Sequence, residues 1–88
     1  MRITVNYLMS FSQITGRKIE QVDLDDNATI NRLLEVLIIK HGRELKKALE
    51  KDIDHRSVLF MVNGTAGELE TVLHEGDTVL ISYPVGGG

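Results

Sequence analysis

Few side chains in this sequence could carry reaction chemistry, and ordinary tasks account for most of them. His41, His55 and His74 each lack a second ligand at helix or strand metal spacing. They read as surface histidines at a helix end and in two turns, with no metal site expected. The acidic pairs Asp25-Asp26 and Asp52/Asp54 fall in predicted loops, where solvation and helix-start electrostatics explain them better than acid–base catalysis. Met9 and Met61 read as core packing. Cysteine is absent, which removes disulfides, thiolate zinc sites, iron–sulfur ligation and a Cys nucleophile together, so any sulfur or acyl chemistry must use another atom. No Ser-His-Asp arrangement, HExxH, Walker or dinucleotide fingerprint is present, and the chain is not expected to be catalytic alone.

What remains is the glycine run Gly86-Gly87-Gly88. It is not a phosphate loop, which would open a helix. The five residues Pro84 to Gly88 can project ~16–18 Å when extended. Glycines carry no side chain to clash in a narrow channel, and that reach suits the active site of another protein. Ordering them costs about 1–2 kcal/mol each, which docking of the folded body must offset.

Such a tail needs a rigid base, and 88 residues supply one small domain. Ile3, Val5 and Tyr7 alternate with polar neighbours, the period of a strand with one buried face. A polar connection, Ser12 to Arg17 with Gly16 for a positive φ, leads to a second extended run, Lys18 to Leu24. The two form a hairpin with a long connection. Ile19 is out of phase with Val22 and Leu24, so an irregular start or a bulge is expected there. Thr29 stands at a helix N-cap position, and Ile30, Leu33, Leu34, Leu37 and Ile38 form one apolar stripe ahead of Gly42, predicting a helix over about 30–41.

Arg43 to Lys51 predicts a second short helix, loosely packed, through Leu45, Ala48 and Leu49. Ser57 to Val62 is a strand covered on both faces, and Asn63-Gly64 is the strongest short turn signal in the chain. Thr65 to Val72 holds a brief strand or turn, and Leu73 to Asp77 a further turn. Thr78 to Tyr83 is the last strand, and Pro84 stops its pairing. The order is β-β-α-(α)-β-β, an α+β sheet with a helix on one face. Residues 1–83 are the expected domain and 84–88 its flexible glycine-rich tail.

Composition excludes other tasks. Ten Lys and Arg against thirteen Asp and Glu give a net charge of -3, a poor match to nucleic acid, whose binding rests on displacing counterions with cations. No apolar run approaches a membrane span and the start of the chain does not resemble a signal peptide, so a cytoplasmic protein with no membrane partner is expected. From Ser57 to Gly88 there is no Lys or Arg, while Glu68, Glu70, Glu75 and Asp77 contribute four negative charges. That imbalance beside the last strand predicts steering toward a basic partner.

Several local motifs occur together: Tyr7-Leu8-Met9-Ser10-Phe11 with Thr15-Gly16, Asn27 to Leu34, Val62-Asn63-Gly64, Leu73 to Val79, and Tyr83-Pro84-Val85-Gly86-Gly87-Gly88. Across nearly the whole chain these resemble the ubiquitin-like sulfur carriers, specifically the MoaD-like small subunit of molybdopterin synthase, with ThiS and archaeal ubiquitin-like modifiers as relatives. The family often has two prolines before the valine and a small residue before the final Gly-Gly, where this chain has Tyr83-Pro84 and Gly86. The resemblance implies a β-grasp fold with a mixed sheet, one main helix packed on one face and a short second helix. It implies that the Gly88 carboxylate is adenylated with ATP by a separate E1-like adenylating enzyme and converted to a thiocarboxylate. Pro84, Val85, Gly86 and Gly87 would then be the tail-docking residues. The partners implied are that enzyme and a larger catalytic subunit of molybdopterin synthase type, with no cofactor bound to the chain itself. A protein modifier joined to lysines through Gly88 needs the same activated end, and a binding module with an inert tail is the third possibility.

Overall fold

The computed structural model describes residues 1–54 and 58–83. Its elements are β1 (Arg2–Tyr7), α1 (Ser10–Thr15), β2 (Ile19–Asp23), α2 (Ile30–His41), α3 (Arg43–Asp54), β3 (Leu59–Val62), β4 (Thr65–Gly67) and β5 (Thr78–Ser82). The strands form one sheet in the order β2-β1-β5-β3-β4. β1 runs antiparallel to β2 and parallel to β5, and β3 runs antiparallel to both β5 and β4, so the sheet is mixed. The last strand is therefore central, held on both edges.

Alternation along each strand separates two faces. Ile3, Val5 and Tyr7 on β1, Val22 on β2, Phe60 on β3 and Val79 and Ile81 on β5 are buried against the helices. From α2 this face receives Ile30, Leu33, Leu34 and Leu37, all buried. The predicted helix is observed over the predicted residues. Thr29 is extended and its Oγ1 accepts the Arg32 N–H at 3.2 Å, while the Gly42 N–H donates to the Ile38 carbonyl at 2.8 Å, satisfying one orphan group at each end. Ile38, at the border of the stripe, is only half-buried.

Several expectations are corrected. The β1–β2 connection contains a helix, α1, whose Phe11 is fully buried; its polar composition conceals a single anchoring ring. Gly16 closes α1 with φ 75°, as expected for that glycine. β2 has no irregular start, because its register with β1 runs unbroken from Arg2–Asp23 to Asn6–Ile19. Ile19 is out of phase because it faces outward, and Glu20 takes the inward position.

The second helix is neither short nor loose. α3 is as long as α2, twelve residues, and Leu45 and Leu49 are almost wholly buried. One turn apart on the same face, these two leucines, with Ala48 packed beside them, dock a helix whose other residues are mostly charged. Asp52 and Asp54 belong to this helix rather than to a loop. β3 is buried at Phe60 alone, its other residues being half-covered. Asn63 (φ 51°) and Gly64 (φ 85°) make the predicted tight turn into β4.

Candidate functional site at the exit end of the sheet

β5 leaves the sheet at Ser82, followed by Tyr83. The predicted tail residues Pro84, Val85, Gly86, Gly87 and Gly88 lie outside the described residues, as does His55. The base of the tail is defined. The Leu8 N–H donates to the Ile81 carbonyl at 3.0 Å, extending the β1–β5 ladder past Tyr7. The Tyr83 ring stacks on Phe11 of α1, with centroids 4.8 Å apart and planes at 22°.

The outer face of the sheet is apolar toward this end. Strand register aligns Ile19, Asn6, Leu80, Met61 and Ala66 in one row across all five strands. Ile19 is 60% exposed, and Leu8 and Met9 beside it are 44% and 55% exposed. Leu59, Met61 and Leu80 are half-buried. Neither Met9 nor Met61 is core packing. An open groove of about 400 Å³ runs along this corner, lined by residues including Asn6, Leu8, Met9, Lys18 and Ile19. The next row inward from the exit, Gln21, Thr4 and Thr78, is polar.

Behind β2, on the helix side, lies a polar group that the sequence reading missed. Glu20 is 3% exposed. Its Oε1 accepts the Tyr7 hydroxyl at 2.5 Å and lies 2.5 Å from His41 Nε2, and its Oε2 pairs with Lys40 Nζ at 2.7 Å. Burial alone would raise the carboxyl pKa. The Lys40 ammonium on Oε2, the hydrogen bonds of Tyr7 and His41 to Oε1, and the His41 charge outweigh burial and hold it down to about 2. Burial, followed by the hydrogen bond and charge of Glu20, pushes the Tyr7 phenol far above its ordinary range, so it serves as a donor. His41 is thus not a surface histidine; its side chain is 10% exposed. The phase break at Ile19 was the available signal, since it forces a carboxylate inward.

Carboxylates of the predicted acidic strip sit elsewhere. Glu75 accepts the Arg2 N–H, and Asp77 accepts from Asn63 Nδ2 and the His74 N–H, all at the start of β5. They are a strand length, ~17 Å, from Tyr83. Glu75 and Asp77 therefore lie away from the exit, where the groove's charged residue is Lys18. His74 is exposed in its turn, as expected. Among the described residues no cluster of three or more His, Cys, Asp or Glu could hold a metal, and no helix is long and apolar enough to cross a membrane.

A family profile described as the ThiS family matches residues 5–88. The chain belongs to the ThiS family. Its ubiquitin-like β-grasp fold recurs in solved structures. SAMP1 from Haloferax volcanii superimposes with a TM-score of 0.79 at 24% identity, covering 100% of each chain. A provisionally assigned molybdopterin converting factor, subunit 1, from Pyrococcus furiosus gives 0.71 at 26% identity over 97% of this chain and 99% of that one. The BexX/CysO complex from Amycolatopsis orientalis gives 0.66 at 23%, covering 98% and 99%. No curated protein matches the chain significantly. The ThiS family match runs through Gly88, so it includes the glycine run as well as the folded base.

Proposed function

We propose that this ThiS-family chain is a sulfur carrier whose reacting atom is the Gly88 carboxyl carbon, serving molybdopterin formation. The observation that carries the reading is the position of β5. A strand paired on both sides delivers the chain to Tyr83, immediately before Pro84 to Gly88, at the apolar end of the outer face. A carboxylate is a poor electrophile. An E1-like adenylating enzyme would let a Gly88 oxygen attack the α-phosphorus of ATP, expelling pyrophosphate, and a sulfide equivalent would then displace AMP to leave a terminal thiocarboxylate. That product would donate sulfur inside a larger catalytic subunit of molybdopterin synthase type. The outer face, with Leu8, Met9, Ile19, Met61 and Leu80, would dock both partners in turn, its apolar area offsetting the cost of ordering the tail. The likeness to the Pyrococcus protein supports the pathway, and the neighbour solved as a complex supports a larger partner.

Deleting Gly88, or adding one residue after it, tests the reading. Folding is expected to persist, while ATP-dependent adenylation is abolished because the acyl carbon is misplaced by one residue, ~3.3–3.6 Å. Incubation of the intact chain with activating enzyme, ATP and a sulfur donor should exchange sulfur for oxygen at Gly88 by intact mass. Lysine-linked conjugates through Gly88 would establish a modifier instead; neither product with any cognate enzyme would overturn both.

A further inference from the structure

Given reaction at Gly88, we infer that Phe11 is a positioning residue, orienting Tyr83 and through it the departure of the tail. α1 is a six-residue helix, too short to be stable alone, and Phe11 is its one fully buried side chain. The chain reaches it through a costly corner. Met9 has φ 56° and ψ -137°, a conformation that suits glycine and persists in other residues only when the surroundings enforce it. The enforcement is visible. The Phe11 N–H donates to the Leu8 carbonyl at 3.2 Å, and both the N–H and the hydroxyl of Ser12 donate to the Met9 carbonyl, at 3.2 and 2.9 Å. Leu8 in turn donates to Ile81, two residues before Tyr83. The corner is thus tied to β5 on one side and presents a ring to Tyr83 on the other.

A ring in this place has a lever. Tyr83 is the last residue before Pro84, so the orientation of its backbone sets the direction in which the chain leaves the sheet. A wrong direction of departure is costly where an acyl carbon must meet a reacting phosphorus. Phe11 is 0% exposed and so is shielded from direct contact with a docking partner; its influence passes through Tyr83, which is half-buried.

The experiment measures kcat/KM for adenylation by the activating enzyme with wild type, Phe11→Leu, Tyr83→Leu and the double variant. Phe11→Leu and Tyr83→Leu are each expected to lower kcat/KM about tenfold, and the double variant no further. Leu37→Val, a core change in α2, separates general loosening from positioning and should leave the rate unchanged. Multiplicative effects of Phe11→Leu and Tyr83→Leu, or an equal loss in Leu37→Val, would overturn the inference. An unreactive wild type would overturn the function proposed for Gly88 instead. The positioning is then decided without enzyme, by residual dipolar couplings of the Val85 amide. Altered couplings in Phe11→Leu sustain it, and couplings unaltered in Phe11→Leu defeat it.

Discussion

Ile19 and Glu20 are neighbours in β2 and meet opposite surroundings. Glu20, the charged residue, is sealed beneath α2 with Tyr7, Lys40 and His41 on its oxygens, while Ile19, the apolar one, stands 60% exposed on the outer face. The usual polarity of a half-buried strand is inverted at this point. The helix side of the sheet is complete in itself. Its carboxylate has gathered partners from β1 and from the last turn of α2, where Lys40 and His41 also suit the helix dipole. The outer side near the tail has no such completion. Leu8, Met9 and Ile19 leave apolar area in water that only another surface can remove. The two faces therefore divide stability from association.

The largest effect is expected on the inner face. Leu34→Ala removes a buried side chain of α2 and should cost about 3 kcal/mol, within the range of ~2–5 kcal/mol for such truncations. An unchanged denaturation midpoint would contradict the assigned helix face. Its loss should be the same at pH 4 as at pH 7, roughly, since no charge is involved.

Glu20→Gln is expected to cost about 2–3 kcal/mol at neutral pH, and its dependence on pH separates it from Leu34→Ala. The folded carboxyl is held at about 2 against an ordinary 4.5. Its stabilisation is therefore complete above about pH 4.5 and lost as pH falls toward about 2. The stability difference between wild type and Glu20→Gln should shrink over that window, measured by urea denaturation at stepped pH. A difference constant across it would refute the charge-based account of the seam. Adenylation by the activating enzyme at neutral pH should be preserved so long as the variant is folded.

These two residues also mark how far the sequence could be read. The stripe containing Leu34 repeats at helical spacing, so both the helix and its buried face follow from residue types alone. The tight turn at Asn63-Gly64 is equally local, because its positive φ angles select those residues. Glu20 was not legible in that way. Its partners Tyr7 and His41 are 13 and 21 residues distant in sequence, and a buried carboxylate becomes acceptable only once they converge. α1 was hidden for a similar reason, since Phe11 gains its meaning from Tyr83, at the far end of the chain. α3 was underestimated because its charged residues outnumber the two leucines that dock it. At the site, the base of the tail was legible from the last strand, whereas the outer apolar row exists only through the register of five strands.

The smallest change in stability, and the sharpest contrast, should come from the residue beside Glu20. Ile19→Thr keeps the β-branched shape suited to an edge strand and removes apolar area that is already mostly in water, so stability should shift by less than about 0.5 kcal/mol. If the outer face docks the activating enzyme, burying Ile19 there contributes about 1 kcal/mol that threonine loses, and association should weaken roughly fivefold by titration calorimetry. The weakening should be in dissociation rather than in the on-rate, because no charge has changed. Unaltered affinity in Ile19→Thr, with Leu8→Ala also unaltered, would remove the outer face from the docking surface and leave the tail alone to make the contact.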